Sequence, residues 1–161
     1  MESSSRNVLV KPSSLEIENA VAAIVVVRNR GYLLQHRDDI AGIWYPDHWG
    51  CFGGAVEPGE TAEAALLREL QEELTWQPEQ AEPFIRLDFD LSNLGSRKLF
   101  REYYVTTIDE GEVEGLRVRE GQGLKVFGAE DLFCDLRVTP YDAFALFLHF
   151  RESGSGLDSV G

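Results

Sequence analysis

The sequence lacks the features of a membrane or exported protein. A helix that spans a bilayer needs about 20 consecutive apolar residues, whereas the longest apolar stretch, residues 20–27, is far shorter and predicts a buried strand. Residues 1–14 are polar and contain no apolar core of the signal-peptide type. Cysteine is scarce: Cys51 and Cys134 form no CxxC pair, and free thiols suit a reducing compartment. We therefore expect a cytoplasmic protein.

Positive charge is also scarce. The chain carries 15 Lys and Arg residues against 28 Asp and Glu residues, which gives a formal net charge of −13. Such a surface repels nucleic acids and anionic membranes, so neither is expected as a partner. A small phosphorylated substrate can bind where positive charge is supplied locally, for example by a divalent cation that carboxylates hold.

The chain has 161 residues, the usual size of one domain. We predict a single folded domain over residues 15–152. The Ser-rich residues 1–14 and the Gly- and Ser-containing residues 153–161 are typical of flexible ends. Between these ends the sequence shows no linker, internal repeat or low-complexity segment.

The pattern of apolar and turn-forming residues predicts several strands and two helices. Runs rich in β-branched and aromatic residues, bounded by Gly, Pro and Asn, indicate strands. Strict alternation of strand and helix is missing, which favours a mixed sheet covered by helices, an α/β (α+β) fold. The predicted strands are 20–28, 32–37, a short one within 49–56, 83–91, 99–107 and 124–127; the helices are 61–74 and 140–151; the long loops are 38–48 and 109–123.

The helix predicted at 61–74 carries an unfavourable charge pattern. Its leucines form one face, and Glu69, Glu72 and Glu73 fall on an adjacent sector. Like charges three or four residues apart each cost about 0.2–0.5 kcal/mol, and the helix dipole disfavours negative charge in the last turns. A hard cation such as Mg²⁺ takes carboxylate oxygens, bridges them to phosphates and so removes this conflict. A solvated acidic face is the alternative interpretation.

The residues around this helix resemble the Nudix box. The family pattern is Gly, five residues, Glu, seven residues, Arg-Glu, an aliphatic residue, any residue, Glu-Glu, any residue, Gly and an aliphatic residue. Here the fixed positions begin at Gly54 and Glu60 and continue with the run Arg68-Glu69-Leu70-Gln71-Glu72-Glu73. Thr75 stands where the family has its last glycine. The resemblance extends to the order of the predicted elements and implies a Nudix-type α/β/α sandwich with a mixed β-sheet between helices.

The resemblance implies a function. It implies Mg²⁺-dependent hydrolysis of a diphosphate linkage in a nucleoside diphosphate-linked substrate by metal-activated water, with Mn²⁺ as an alternative ion. A nucleoside triphosphate is favoured, because Glu120-Gly121-Gln122 resembles a stretch of the MutT-like branch in which the glutamate contacts the metals. A nucleotide sugar or ADP-ribose comes second, and a dinucleoside polyphosphate third. Many family members are dimers, so monomer and homodimer both stay open.

The resemblance also implies roles for individual residues. Glu69 or Glu120 is the expected general base, although Glu120 can equally be read as an ordinary loop charge. Arg68 is expected to pair with a neighbouring carboxylate or to contact phosphate, and Glu60 to have a structural role near the start of the helix. The expected metal ligands are Glu69, Glu72, Glu73, Glu120 and the carbonyl of Gly54.

Four residues ahead of the box are the candidate substrate-binding residues. Arg37 matches a position where the MutT-like branch uses arginine against phosphate; a solvated arginine at a strand end is the alternative. Trp44 and Tyr45 can stack on a base, and His48 can contact phosphate. Packing of this loop onto the sheet is the alternative for all three. We interpret His36 and His149 as structural residues.

Two rival functions have a basis in the sequence. The Nudix fold also supports isopentenyl diphosphate isomerisation, which uses a cysteine and a glutamate, and Cys51 lies close to the box. A Nudix fold can alternatively serve as a non-catalytic ligand-binding module. Such modules usually lose box carboxylates, and this chain retains all of them.

Overall fold

The computed structural model describes residues 18–94, 98–134 and 136–154. The segment 1–14, predicted to be flexible, lies outside these residues. So does the part of the predicted tail from residue 155 onward. The described residues form a mixed sheet with helices on both faces, which confirms the predicted fold class.

The sheet has six strands, and one central pair is parallel. Strands β1 and β5 run parallel, whereas all other neighbouring strands are antiparallel. The strand order is β3-β2-β1-β5-β4, with β6 paired to β2. The strands are β1 (Glu18–Val27), β2 (Gly31–His36), β3 (Trp49–Gly50), β4 (Glu82–Asp90), β5 (Lys98–Ile108) and β6 (Gly123–Phe127).

The described residues contain four α-helices and a short 3-10 helix at Ser92–Leu94. Two of the α-helices are longer than three turns, and these are the two that the sequence predicts. They are α1 (Ala62–Leu74) and α4 (Pro140–Gly154). The other two are α2 (Glu110–Val113) and α3 (Ala129–Cys134). Among the described residues, no helix has both the length and the apolarity needed to cross a membrane.

The two short helices correct the sequence-based prediction. Residues 109–123 were expected to form a loop, but α2 occupies the start of that segment. Asp109 is its N-cap residue, and the side chain of Glu112 accepts a hydrogen bond from the Asp109 N–H at 3.0 Å. Helices of 4 and 6 residues are too short to show an apolar stripe, so periodicity detects neither α2 nor α3. Helix α4 also continues through Ser153 and Gly154, which the prediction assigned to the tail.

Alternate side chains of the sheet form two separate apolar layers. On one face, Val21 and Val25 of β1 pack with Leu66 and Leu70 of α1. On the other face, Ile24 packs in a second cluster that includes Ala145 and Leu146 of α4. Each fully buried leucine or isoleucine contributes about 1.5–3 kcal/mol of transfer free energy. The layers fix α1 on the sheet and so determine which of its side chains lie beside β1 and β2.

Both ends of α1 have defined caps. At the start, the Ala64 N–H donates to the Thr61 hydroxyl oxygen at 3.2 Å. At the end, Thr75 adopts a left-handed conformation with φ 53° and ψ 38°, and its N–H donates to the carbonyl of Gln71. This is the position where a glycine was expected. A side chain in this conformation costs about 1–2 kcal/mol, so Thr75 keeps the cap geometry at an energetic cost.

Candidate active site

The segment after β3 lies directly against β1. The N–H of Val21 donates to the carbonyl of Gly54 at 2.9 Å, and the N–H of Ala23 donates to the carbonyl of Phe52 at 2.8 Å. Gly53 between them has φ +140°, and a Cβ there would lie 2.2 Å from the carbonyl oxygen of Val21. Only glycine fits this close approach.

This approach brings the backbone of Gly53 to the carboxylate of Glu73. The N–H of Gly53 donates to Oε2 of Glu73 at 2.9 Å, and the amide of Gln35 donates to Oε1 at 3.2 Å. Glu73 is 4% exposed. Burial is the main cause that raises its pKa to about 8; the charges of Glu69 and Glu120 contribute to this rise, and the hydrogen bonds from Gly53 and Gln35 oppose it. A cation beside these carboxylates would favour the ionised form of Glu73.

Glu69 lies one turn earlier on α1, against Gly54. A Cβ at Gly54 would lie 2.5 Å from the Glu69 carboxylate, so the absence of a side chain makes the space that this carboxylate occupies. Burial raises the pKa of Glu69; Arg68 opposes the shift, and Glu72 and Glu120 add to it. The fold therefore brings Glu69, Glu73 and Glu120 within electrostatic range of one another.

Arg68 is surrounded by carboxylates and one carbonyl, which we call the Arg68 cluster. Its Nε and Nη2 donate to the two carboxylate oxygens of Glu60, both at 3.0 Å. Nη1 donates to Glu69 at 2.7 Å and to Glu72 at 3.4 Å, and Nη2 also donates to the carbonyl of Ala55 at 3.0 Å. The hydrogen bonds from Arg68 lower the pKa of Glu60. Arg68 thus holds Glu69 in place and partly neutralises the acidic face of α1.

The carboxylates fit a hard cation in type but do not converge on one point. Among residues 18–94, 98–134 and 136–154, no three His, Cys, Asp or Glu side chains are placed to hold a metal ion. The contacts above give the reason: Glu69 is turned towards Arg68, and Glu73 towards Gly53 and Gln35. The side chain of Glu72 is 55% exposed. All available donors are oxygens, the ligand type that Mg²⁺ prefers.

Two adjoining cavities lie beside this group. The smaller, of about 190 Å³, is lined by Glu73 and Glu120 among others. The larger, of about 560 Å³, is lined by Trp44, Tyr141 and Arg101 together with small and apolar residues. Arg37 and Gly53 line both cavities. One molecule can therefore extend from the carboxylates into the larger cavity.

A further cavity of about 590 Å³ lies elsewhere, beside Trp76, Gln80 and Glu112. It is lined by none of the residues that the sequence assigned to the site. We therefore place the candidate site at the two cavities that share Arg37.

The predicted substrate-binding residues occupy different places. Arg37 lines both cavities, and its Nε donates to the carbonyl of Trp44 at 3.0 Å, which fixes the loop that presents Trp44. Tyr45 packs its ring against Tyr141, a residue of the larger cavity, with centroids 5.7 Å apart. The Nδ1 of His48 lies 2.7 Å from the carbonyl oxygen of Pro46. Tyr45 and His48 thus support the loop.

A second cluster, which sequence reasoning missed, lies behind the larger cavity; we call it the Arg101 cluster. Asp142 is 1% exposed. It accepts from Arg101 at 3.1 Å, Tyr103 at 2.9 Å, Thr139 at 2.7 Å and the N–H of Cys51 at 3.0 Å. Arg101 lines the larger cavity. A local signal for this cluster exists in the sequence. Thr139 precedes α4, and Asp142 follows three residues later, which is the spacing of a capping box.

His36 and Cys51 pack within the fold and line neither cavity of the candidate site. The ring of His36 stacks on Trp49 with centroids 4.5 Å apart, and its Nε2 lies 2.9 Å from the Asp47 carboxylate. Cys51 is 4% exposed. Burial raises the pKa of its thiol well above the ordinary value. A buried, protonated thiol gives no support to the isomerase alternative.

Comparisons with known proteins agree with this architecture. The family model of the NUDIX domain matches residues 18–149. The chain is 39% identical over 57 residues to the nucleoside triphosphatase NudI of Enterobacter sp. (strain 638). That match covers 35% of this chain and 40% of the relative, so it spans well under half of the relative's length.

Solved structures share the fold over most of the chain. A MutT NUDIX hydrolase from Burkholderia pseudomallei has a TM-score of 0.67 at 26% identity, covering 82% of this chain and 97% of its own. The NUDIX domain of Shewanella oneidensis NrtR, solved with ADP-ribose, has a TM-score of 0.67 at 17% identity, covering 84% and 87%. The family match, the box on α1 and the sandwich fold lead to one conclusion: the chain belongs to the Nudix hydrolase family and is MutT-like.

Proposed function

We propose that the protein hydrolyses the diphosphate linkage of a nucleoside diphosphate-linked substrate with the help of Mg²⁺, for which Mn²⁺ can substitute. The observation that carries the proposal is the pair of adjoining cavities that share Arg37 and Gly53. A diphosphate in the smaller cavity would lie beside Glu73 and Glu120, with Arg37 within its reach. The nucleoside would then occupy the larger cavity, whose volume of about 560 Å³ is typical of small-molecule sites.

Carboxylates of α1 and the loop residue Glu120 would hold the cation. When bound, the cation would neutralise phosphate oxygens and lower the pKa of a bound water. Glu72 would complete the set from the exposed edge of α1, and Arg68 would keep Glu69 oriented. The Gly54 carbonyl already accepts from Val21, which leaves one lone pair for a further contact.

The general base is Glu69 or Glu120. Glu69 is held by Arg68 at 2.7 Å, whereas Glu120 is an exposed residue of the small cavity. Comparing Glu69→Gln with Glu120→Gln at saturating Mg²⁺ separates the two, because the base affects kcat even when metal binding is restored.

Among substrates, a nucleoside triphosphate is favoured. The similarity of part of the chain to a nucleoside triphosphatase supports this choice, together with the Glu120-Gly121-Gln122 stretch. A nucleotide sugar or ADP-ribose comes second, since the similar Shewanella domain was solved with ADP-ribose. A dinucleoside polyphosphate is third. Specificity resides in loops and not in the box, so the screen below includes all classes.

The test is a product screen by ion-exchange chromatography. The protein is incubated with Mg²⁺ and each substrate class, and a chelator is added to parallel samples. We expect one class to yield a nucleoside monophosphate and its partner, with no product when the chelator is present. Turnover should fall on the order of a hundredfold in Glu73→Gln. Glu63→Gln is the matched control, because Glu63 is an exposed glutamate in the first turn of the same helix.

The non-catalytic alternative predicts a different result from the same screen. Binding of ADP-ribose or a nucleotide without cleavage under any divalent metal would favour a ligand-binding module and refute hydrolysis. Equal turnover of parent and Glu73→Gln would refute the assignment of the metal-binding residues while leaving hydrolysis intact.

A further inference from the structure

The carboxylate of Asp142 has no capacity left for a second bond from Arg101. Its Oδ1 accepts from Arg101 and Tyr103, and its Oδ2 accepts from Thr139 and the N–H of Cys51. An ionised carboxylate offers about four lone-pair sites. The bidentate pairing that a buried arginine commonly makes with a carboxylate is therefore replaced by one contact.

Arg101 consequently has donors to spare. Its side chain is only 10% exposed, and Nη1 donates to Asp142 at 3.1 Å. Within the described parts of the chain, its buried Nε has no hydrogen-bond partner. A buried donor without a partner costs about 1–3 kcal/mol. Native structures seldom keep such a group unless a water, an ion or a functional role accounts for it.

The larger cavity is where a ligand would meet this guanidinium. Arg101 lines that cavity, and its guanidinium carbon lies 4.9 Å from the centre of the Tyr141 ring, which also lines it. The two charged side chains among the lining residues, Arg37 and Arg101, are both arginines. Arginine is a donor only, so the charged part of the cavity is complementary to acceptors such as carbonyl oxygens.

We propose that Arg101 determines specificity by donating hydrogen bonds to a carbonyl oxygen of the nucleobase. The inference rests on the proposed function in one respect, that the larger cavity receives the nucleoside. Arginine pairs with carbonyl acceptors of bases, most often with guanine. An exocyclic amino group at the same position is itself a donor, so it could not accept a hydrogen bond from the Arg101 guanidinium. With the Watson–Crick edge of the base turned towards Arg101, the protein would select bases with a carbonyl at the pyrimidine 4-position or purine 6-position over their amino counterparts.

The experiment measures binding with two matched ligand pairs that differ at this position. They are dUMP against dCMP, and dIMP against dAMP. Dissociation constants are measured by isothermal titration calorimetry with the whole chain and Mg²⁺, so that binding is observed whether or not the protein hydrolyses triphosphates. We expect the carbonyl-bearing member of each pair to bind on the order of tenfold more tightly.

Two variants assign the preference to Arg101. Arg101→Lys keeps the charge beside Asp142 but removes the planar set of donors, and it should lose most of the preference. Arg86→Lys is the matched control. It makes the same substitution at an arginine that pairs with Asp88 and lines neither cavity of the candidate site, so the preference should stay at the parent value.

Three results would overturn the inference. One is a parent protein that binds none of the four ligands or binds both members of each pair equally. Another is an unchanged preference in Arg101→Lys. The third is an equal loss in Arg86→Lys, which would mean that the loss does not arise at the larger cavity. A clear preference without cleavage of the matching triphosphates would refute the proposed hydrolysis but uphold the role of Arg101; cleavage without preference would do the reverse.

Discussion

The Arg68 cluster and the Arg101 cluster each place an arginine among acceptor groups, but they differ in how many of the guanidinium N–H donors have an acceptor. Arg68 makes five contacts with acceptors, so that all of its donors are used. In the other cluster Asp142 accepts four hydrogen bonds, one of them from Arg101, whose buried Nε has no partner among the described residues. An arginine whose N–H donors all have acceptors within the protein orients its neighbours. An arginine that keeps a donor without an acceptor is able to bind a ligand. The number of unused donors, more than the number of charges, distinguishes a supporting arginine from a recognising one.

The largest expected effect is on the free energy of unfolding, when the buried ion pair between Arg101 and Asp142 is broken. Asp142→Asn leaves the charge of Arg101 without its counter-ion and should lower the free energy of unfolding by about 3–5 kcal/mol. Urea unfolding followed by circular dichroism measures the loss. Glu60→Gln removes the principal partner of the more solvent-accessible Arg68 and should cost clearly less. Equal losses in the two variants would contradict the distinction between a buried and a solvent-accessible cluster.

The next largest effect is a loss of activity when Arg68 is replaced. Arg68→Lys keeps the charge but cannot make the five contacts of the guanidinium, so Glu69 loses its orientation. We expect kcat/KM to fall about 10- to 100-fold, with a higher Mg²⁺ requirement and little change in melting temperature. Arg28→Lys, which alters an exposed ion pair with Asp109, is the control and should behave like the parent. Parent-like kcat/KM in Arg68→Lys would mean that Arg68 does not position the catalytic group.

The smallest effect tests the end of the helix that carries the Arg68 cluster. Thr75→Gly removes the side chain from a left-handed residue and should stabilise the protein by about 1 kcal/mol without changing kcat/KM. Thermal and urea unfolding measure the gain. Thr75→Ala retains a Cβ and should gain little. If glycine and alanine had the same effect, the left-handed conformation would not be the source of the cost. A change in kcat/KM would show that the end of α1 influences the site.

The outcome of the sequence-based predictions depended on the distance along the chain between interacting residues. The leucine stripe placed α1 correctly, and the same period placed Glu69 and Glu73 on neighbouring parts of its surface. The proximity of Glu120 to Glu69 and Glu73 was expected only from the resemblance to the MutT-like branch, since no local pattern links a loop residue to a helix about 50 residues earlier.

The residues that sequence reasoning missed are polar groups whose partners lie far away in sequence. Gln35 of β2 contacts Glu73, 38 residues later, and the Asp142 carboxylate accepts from Cys51, 91 residues earlier. Their immediate neighbours in sequence are ordinary strand and helix residues. Only the packing of α1 and α4 onto opposite faces of the sheet defines which polar groups meet.

By itself, therefore, the sequence determined the acidic helix, the glycines that approach it and the family, because regular periodicity and fixed spacing are properties of a continuous segment. Tertiary structure decided that Glu73 is buried, that Arg37 lines two cavities and that, among the described residues, the buried Nε of Arg101 has no hydrogen-bond partner. The physical reason is that burial and hydrogen-bond saturation depend on every group packed around an atom. These groups come from strands and helices that the chain brings together only when it folds.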